Sequence, residues 1–302
     1  MGINLCEATA IMSLKRTQTV NDEIVCLGRP ELFLSRRQAG SLAKAFGQGW
    51  SDEQLTQISA DRHAETLLKA IGLTNIRSLD ASDYEGAAII HDLNKPLPDA
   101  LVGTTDFVYD GGTIEHVFDV ATALSNATRL LRVGGTLLIS IAANNQCGHG
   151  FYQYSPELFY RYLEANGFTN VNVYLVGLLT PNRWRRAADP KVLGRRVQFS
   201  TTEPTQMLVV ARKSAEVFPA VVPQQSDYSE LNWRKSESEL LAEHQGRTSV
   251  MGHARAIAKS RVLLPAMSML RNFGGPGFPG LFRTSDFAPV DPFAMELVAR
   301  RA

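Results

Sequence analysis

The chain has 302 residues, of which 20% are charged and 44% are hydrophobic, and its formal net charge is +1 at pH 7. This composition is that of a globular protein and excludes disordered and fibrous chains. A net charge so close to zero provides no general field for nucleic acid or a membrane surface. No apolar run reaches the roughly 18 residues that a membrane-spanning helix needs.

The three cysteines, Cys6, Cys26 and Cys147, are widely spaced. They form no Cys-x-x-Cys pair and no Cys/His cluster at zinc spacing, so the sequence predicts no metal site. Reduced thiols, with Cys26 buried in a strand, fit an intracellular compartment. The N-terminal residues also lack the apolar core of a secretory signal, and we therefore expect a cytoplasmic protein.

Apolar runs, caps and glycine or proline breaks predict the elements in chain order. A strand at 23 to 28 precedes helices at 35 to 47 and 51 to 71, then strands at 76 to 80, 87 to 92 and 107 to 109, a helix at 117 to 133, a strand at 136 to 141, a helix at 155 to 166, and strands at 171 to 176 and 206 to 212.

The helix that begins near residue 117 has a clear apolar stripe, with residues three or four positions apart. The stripe consists of Val117, Val120, Ala121, Leu124, Ala127 and Leu131. Gly134 and Gly135 are predicted to end this helix before the next strand begins.

Strands that alternate with helices over residues 23 to 213 predict an α/β fold. We expect a doubly wound, mostly parallel, Rossmann-like sheet of seven strands with helices on both faces. The last two strands are separated by the arginine-rich segment 183 to 196 and not by a helix, so they are expected to pair antiparallel at the sheet edge. Residues 1 to 22 are predicted to form an N-terminal segment.

Residues 214 to 302 are predicted to form a C-terminal extension, with helices at 236 to 244 and 252 to 270 and a glycine-proline run at 272 to 280. Residues 245 to 271 contain five basic side chains and no acidic one. A solvated helix face explains this pattern, and so does a docking surface for an anionic partner or a neighbouring subunit. The extension is therefore a candidate contact for a homodimer or a partner protein.

Residues 106 to 141 carry the most specific pattern in the chain. A strand with Asp-x-Val-x-x-x-Gly is followed by Ile-Glu-His-Val, an amphipathic helix, and Arg-Leu-Leu-Arg-x-Gly-Gly before the next strand. In these motifs the chain resembles class I methyltransferases that use S-adenosylmethionine, especially the small-molecule branch. The resemblance extends over residues 23 to 213, and residues 78 to 87 and 151 to 157 resemble a bacterial subgroup of that family.

The resemblance implies a cofactor site at the carboxyl edge of the sheet. Asp80, at the end of the second strand, matches the acid that accepts both ribose hydroxyls. Asp92, after the third strand, matches the acid that takes the adenine amino group. Each aspartate also has a structural explanation, because Asp80 can cap a turn with Ser82 and Asp92 can form an Asx-turn before Asn94.

The glycine-rich loop that the family carries after its first strand is altered here. Those glycines let the backbone approach the methionine part of the cofactor, but only Gly28 remains, followed by Arg29 and Pro30. An arginine repels the positive sulfonium, although it can bind the carboxylate of the cofactor. Two hypotheses follow: a methyltransferase with an altered loop, and a non-catalytic methyltransferase-like protein kept for binding or scaffolding. A nicotinamide dehydrogenase is disfavoured because Gly-x-Gly-x-x-Gly is absent.

Residues 110 to 116 lie where cofactor and acceptor are expected to meet. Asp110 and Gly111 are candidates for cofactor contact, although the glycines equally suit a tight turn. His116 is a candidate catalytic base for an acceptor hydroxyl, with a helix cap or a packed histidine as the structural alternative. Glu115 is explained by the positive end of the following helix.

The polar loop after the fifth strand leaves the same edge of the sheet. His149 is a second catalytic candidate, and Asn144, Tyr152 and Gln153 are candidates for contacts with the substrate. A mobile lid without a catalytic role explains the same composition. The sequence thus predicts methylation of an oxygen or nitrogen on a small polar metabolite or saccharide, with no nucleic acid partner.

Overall fold

The computed structural model describes residues 2 to 194, 196 to 228 and 287 to 292. The helices predicted at 236 to 244 and 252 to 270, and the basic and glycine-proline stretches of the extension, lie outside the described residues.

Eleven strands and seven α-helices are found in the described ranges. They are β1 (Gly2–Ile3), α1 (Leu5–Arg16), β2 (Glu23–Leu27), β3 (Glu31–Leu32), α2 (Arg36–Phe46), α3 (Asp52–Ala60), α4 (Glu65–Ala70), β4 (Asn75–Asp80), β5 (Ile89–Ile90), β6 (Thr105–Gly111), α5 (Val120–Leu130), β7 (Leu131–Asn144), α6 (Pro156–Ala165), β8 (Phe168–Gly177), β9 (Thr180–Ala187), α7 (Pro190–Leu193), β10 (Thr205–Lys213) and β11 (Phe287–Val290).

One large sheet has the order β11-β9-β8-β10-β7-β6-β2-β4-β5. Its half from β5 to β7 is parallel, and β10 pairs antiparallel with both β7 and β8. The predicted α/β class and the antiparallel pairing of β8 with β10 are confirmed. The predicted number of seven strands is wrong, because nine strands form this sheet in the described residues.

The two additional strands lie beyond β8 in the sheet. A loop was predicted where β9 lies, and no element was predicted where β11 lies. β9 covers residues 183 to 187 of the arginine-rich segment. Trp184 within it is 2% exposed and packs against Tyr174 with ring centroids 5.8 Å apart. β11 then pairs with β9, and its Phe287 is 1% exposed. A strand of the predicted C-terminal extension therefore belongs to the same sheet.

The helix predicted at 51 to 71 is two helices, α3 and α4. Asp61 ends the first and begins the second, because its carboxylate accepts from the N–H groups of His63 and Thr66 and from the Thr66 hydroxyl. Partial burial tends to raise the pKa of Asp61, but hydrogen bonds, first that of the Thr66 hydroxyl, lower it below the usual value. A side chain that satisfies the first N–H groups of a helix fixes its start.

Helix α5 is shorter than the prediction at both ends. Asp119 caps its start by accepting from the N–H of Thr122 at 3.1 Å. At its end the buried Lys213 ammonium donates to the carbonyl oxygens of Thr128 and Leu131 at 2.9 and 2.8 Å, which satisfies groups that a helix end leaves open. The Gly134-Gly135 pair therefore lies within β7, and Ala121 of the predicted stripe is exposed.

Helices cover both faces of the sheet, as predicted. One face packs against α5 and α6, and the other packs against α1, α2, α3 and α4. Residues before β2 are part of this second core, since Ile3, Ile11 and Leu14 are fully buried. The buried Glu7 on that face is satisfied by the Ser140 hydroxyl at 2.7 Å and by a backbone N–H.

The carboxyl ends of β2, β4, β5, β6 and β7 share one edge of the sheet, which is where ligands of open α/β sheets bind. Cys6 and Cys26 are free and buried, and Cys147 is free and exposed, so the burial of Cys26 in a strand is confirmed. No helix in the described ranges is long and apolar enough to cross a bilayer.

Candidate active site

Two buried carboxyl groups lie at the end of β6. Asp110 is 0% exposed and its Oδ1 accepts from the N–H of Thr113 at 2.8 Å. Glu115 is 1% exposed and lies in a 3₁₀ turn, Ile114–His116, ahead of α5. Asp110 Oδ2 and Glu115 Oε2 have no hydrogen-bond partner among the described residues. Buried polar atoms without a partner are uncommon and point to a role.

Burial and mutual repulsion shift the pKa of both acids. Burial raises the pKa of Asp110, and burial followed by the charge of Asp110 raises the pKa of Glu115. Two carboxylates that share a site out of water cannot both ionise cheaply. The pair therefore retains a proton at pH values at which an ordinary carboxyl group has lost it.

Two histidines stand at the solvent side of these acids. The ring centroids of His116 and His149 are 4.9 Å apart with the planes at 74°, and Nε2 of His149 is 3.3 Å from Oε1 of Glu115. Partial burial, and then the neighbouring His149, lower the pKa of His116. His116 is therefore neutral at physiological pH and able to accept a proton. Its side chain is exposed and lies ahead of the start of α5, and a catalytic role for it stays a prediction.

The loop after β7 is clamped onto the segment after β6. The N–H of Phe151 donates to the carbonyl oxygen of Glu115 at 2.8 Å, and the Tyr152 hydroxyl donates to the carbonyl oxygen of Phe118 at 2.8 Å. Gly150 has a φ of +75°, and a Cβ there would lie 2.7 Å from the Glu115 carbonyl oxygen. Only glycine allows the two backbones to approach this closely.

An exposed aromatic pair lies beside the histidines. Phe118 and Phe151 are 73% and 65% exposed, and their rings meet edge to face with centroids 5.9 Å apart. Sequence reasoning missed both residues and gave Glu115 only a helix-dipole role, which is wrong because α5 starts at Val120. The signal was the spacing His-x-Phe, which occurs at 116 to 118 and again at 149 to 151.

The three residues predicted to contact substrate are held by bonds within the protein. Asn144 donates to the Thr201 hydroxyl at 3.0 Å, and Gln153 Oε1 accepts from the N–H of Gln146 at 2.9 Å. The Tyr152 hydroxyl donates to the carbonyl oxygen of Phe118, as described above. Of the polar loop residues, His149 is the one that points its side chain at the buried acids.

Contacts within the protein explain why the two residues after Asp110 are glycines. A Cβ on Gly111 would lie 2.5 Å from the Tyr109 hydroxyl, which itself donates to the carbonyl oxygen of Gly2 at 2.9 Å. Gly112 has a φ of +94° and approaches the Glu115 carboxylate. Both glycines are thus needed for packing and turning, and a role for Gly111 in cofactor contact stays a prediction.

Asp80 and Asp92 lie together on the outer half of the parallel sheet and away from the acid–histidine group. The Asp80 carbonyl oxygen accepts from the N–H of His91 at 2.8 Å. The Asp80 carboxylate has one long contact, 3.4 Å from the N–H of Ser82. Asp92 forms the Asx-turn, accepting from both the N–H and the side-chain amide of Asn94 at 3.0 Å, and the Asn94 amide bond is the strongest influence that lowers its pKa.

The loop after β2 is tied down by neighbouring segments. Gly28, with a φ of +72°, donates its N–H to the Leu79 carbonyl oxygen at 2.7 Å. Arg29 forms an ion pair with Glu65 at 2.6 Å and donates to the Glu85 carbonyl oxygen at 2.8 Å. Its charge is therefore compensated within the chain, which removes the expected repulsion of a sulfonium.

A small cavity lies under this loop. Its volume is about 140 Å³, and Cys26, Arg29, Pro30 and Ser78 are among the residues that line it. Ligand pockets commonly have volumes of about 300 to 1,000 Å³. The cavity is smaller than this range and too small for a nucleoside cofactor.

Three comparisons with known proteins accompany this geometry. No family model matches the chain, and no curated protein matches it. Among solved structures, 1,6-didemethyltoxoflavin-N1-methyltransferase of Burkholderia thailandensis, bound to S-adenosylhomocysteine, is 14% identical over 70% of this chain and 78% of its own, with a TM-score of 0.35. A branched-chain polyamine synthase of Thermus thermophilus is 13% identical over 72% of this chain and 60% of its own, with a TM-score of 0.35.

A third similar structure is a SAM-dependent methyltransferase of Thermotoga maritima. It is 18% identical over 68% of this chain and 91% of its own, with a TM-score of 0.31.

Proposed function

We propose that the chain is an S-adenosylmethionine-dependent methyltransferase acting on an oxygen or nitrogen of a small molecule. The observation that carries the proposal is the sheet order. Five parallel strands, β5-β4-β2-β6-β7, are followed by the antiparallel β10 inserted before β8. The dinucleotide-binding fold continues with a sixth parallel strand in that place, whereas the inserted antiparallel strand resembles class I methyltransferases.

Asp80 supports the cofactor part of the proposal. It ends β4 next to β2, the middle strand of the five parallel strands. Apart from the long Ser82 contact its carboxylate accepts no hydrogen bond from the described residues. An ionised carboxylate has room for the two donors of a vicinal diol. Gly28 and Asp92, at the ends of the flanking strands, are the further candidates to hold the nucleoside and methionine parts.

The cofactor supplies an already activated methyl group, so the protein mainly provides proximity and alignment, worth up to about 7 to 11 kcal/mol. A hydroxyl or ammonium acceptor must also lose a proton. His116 is the base in this proposal, because it is exposed and its lowered pKa keeps it neutral. His149 stands beside it as the second catalytic candidate and is oriented by Glu115.

The aromatic pair suggests where the acceptor lies. Phe118 and Phe151 form an exposed apolar surface next to His116. The apolar face of a saccharide ring or of a planar heterocycle fits such a surface, while its polar edge reaches the histidines. A small polar metabolite or saccharide is therefore the acceptor class that we propose.

The loop after β2 favours the second hypothesis, a non-catalytic binding protein. Pro30 accepts the N–H of Ala64 at 3.0 Å, and Leu32 donates to the Arg62 carbonyl oxygen at 2.9 Å. Backbone bonds thus tie a loop that flexible glycines would leave open for the cofactor.

Calorimetric titration of the purified full chain with S-adenosylhomocysteine distinguishes the two functions. A methyltransferase gives saturable heat and a higher melting temperature, because a ligand that binds only the folded state stabilises it. Absence of both heat and thermal shift would contradict the enzymatic proposal and support the non-catalytic binding protein. Transfer of a labelled methyl group to a panel of sugars, alcohols and amines then identifies the acceptor.

A further inference from the structure

Three potential metal ligands converge at the clamp between the loop after β7 and the segment after β6. One ligand atom from each of Glu115, His116 and His149 lies within 4.8 Å of the other two. The closest pair is Glu115 Oε1 and His149 Nε2, at 3.3 Å. Bonds of about 2.0 to 2.2 Å to a tetrahedral ion place ligand atoms roughly 3.3 Å apart, so this pair already has the required spacing.

An independent observation points to a cation at the same place. The Glu115 side chain is 2% exposed, and its Oε2 has no hydrogen-bond partner among the described residues. Asp110 Oδ2, equally buried, has none either. Ionised carboxylates out of water are costly unless a positive charge compensates them. In the described part of the chain no lysine or arginine forms an ion pair with Glu115 or Asp110.

We propose that Glu115, His116 and His149 bind a divalent metal ion of the zinc type. Two imidazoles and one carboxylate are a ligand set of catalytic zinc sites, which leave the fourth position for water or substrate. Nitrogen ligands favour zinc, cobalt or iron over magnesium and calcium. The third ligand atom, on the exposed His116, lies within 4.8 Å of the other two.

The surroundings of the three ligands fit a metal site. The hydrogen bond from Phe151 to the Glu115 carbonyl oxygen fixes the two ligand-bearing segments to each other. The exposed Phe118 and Phe151, each two residues after a site histidine, meet edge to face. With the ion bound, His116 would be a ligand and not the base, and an acceptor hydroxyl at the open position would lose its proton to solvent more readily. The expectation of no metal was based on cysteine spacing and did not take this group of three residues into account.

The competing interpretation is a protonated Glu115 that simply donates to His149. It requires no ion and predicts no metal affinity above that of a histidine-bearing surface. Binding of the metal alone distinguishes the two interpretations, and it does so without S-adenosylmethionine. A failure of this site is therefore separate from a failure of the proposed methyl transfer.

The test uses the purified full chain, stripped with a chelator, dialysed and titrated with Zn²⁺ against a chromophoric competitor and with Co²⁺ by visible absorption. We expect one equivalent to bind with a ligand-field spectrum typical of nitrogen coordination. His116→Gln, His149→Gln and Glu115→Gln should each weaken binding more than about 10-fold, because even outer partners of metal ligands cost that much.

Matched controls are His91→Gln and Cys147→Ser, which change potential ligands outside the three-residue set and should leave the affinity unchanged. Both site histidines are exposed, so their variants keep the fold, which circular dichroism verifies. Wild-type affinity no higher than that of His149→Gln, or binding that persists in all three site variants, would overturn the proposal.

Discussion

The backbone N–H of Phe151 donates to the carbonyl oxygen of Glu115 at 2.8 Å, and this bond aligns two segments that leave neighbouring strands. In this alignment His149 meets His116 and Phe151 meets Phe118. The geometry of the candidate site is thus set by backbone contacts between the two segments.

Gly150→Ala should disrupt this alignment. The methyl group would lie 2.7 Å from the Glu115 carbonyl oxygen, and the residue would keep a φ of +75°, which costs an L-residue about 1 to 2 kcal/mol. We expect a loss of about 1 to 3 kcal/mol in the free energy of unfolding, measured by urea denaturation. Nuclear magnetic resonance should also show the His116 and His149 ring signals shifted as the rings separate.

Gly148→Ala is the matched control in the same loop. Nothing lies within 4 Å of a Cβ at Gly148, and its φ is outside the left-handed region. Its stability and histidine signals should equal those of the wild type. Equal effects of the two substitutions would mean that the loop is not clamped through Gly150.

Asp110→Asn should change the pH dependence of stability. The pKa of Asp110 and of Glu115 is raised by burial, so the folded state holds protons that the unfolded chain releases near pH 4. Stability from these groups is therefore present at low pH and is lost as the pH rises toward and through the raised pKa. The loss is about 1.4 kcal/mol for each pH unit between the unfolded and the folded pKa of a group. Between about pH 5 and pH 8 the variant should lose less stability than the wild type.

The measurement is chemical denaturation across this pH range with a chelator present, which keeps metal ions out of the comparison. Asp119→Asn is the control, because hydrogen bonds, first that of the Thr122 hydroxyl, lower the pKa of this exposed carboxyl group. A lowered pKa places its pH dependence below that range, so its slope should match the wild type. A wild-type slope in Asp110→Asn would contradict the buried acid pair.

Asn126→Ala should release the loop that follows β5 and contains Asp92. The Asn126 amide is 1% exposed; it donates to the carbonyl oxygens of Leu93 and Lys95 and accepts from the N–H of Leu97. Loss of these buried bonds should cost about 2 to 4 kcal/mol. Thermal denaturation measures the loss, and hydrogen exchange should accelerate at Leu97. Asn75→Ala, at an exposed position, should stay within about 0.5 kcal/mol of the wild type.

The parallel half of the sheet could be predicted because its strands are short apolar runs that end in glycine or aspartate. Two features could not. The break between α3 and α4 depends on Asp61, whose carboxylate serves the second helix although local composition favours one. Strand β9 was hidden by its arginines; it forms a hairpin with β8, and its other partner, β11, is distant in the chain.

The candidate site was likewise predictable only in part. His116 and His149 were predicted individually from their places after strands, but their meeting depends on the path of the second loop across the first segment. The burial of Glu115 depends on a 3₁₀ turn that delays the start of α5. Helix periodicity alone places Glu115 on an exposed first turn, so the sequence could not predict that Glu115 is a buried acid.

Asp80→Asn should separate ligand binding from folding. The Asp80 carboxylate has one long contact within the protein, so the amide should leave the free energy of unfolding within about 0.5 kcal/mol of the wild type. An amide offers one acceptor oxygen to a diol in place of two. Affinity for S-adenosylhomocysteine, measured by calorimetry, should therefore fall about 10-fold or more, as expected when a charged hydrogen bond of about 1.5 to 3 kcal/mol is lost. Asp83→Asn, in the same loop, is the control, and an equal loss of affinity there would mean that the aspartate after β4 does not hold the ribose.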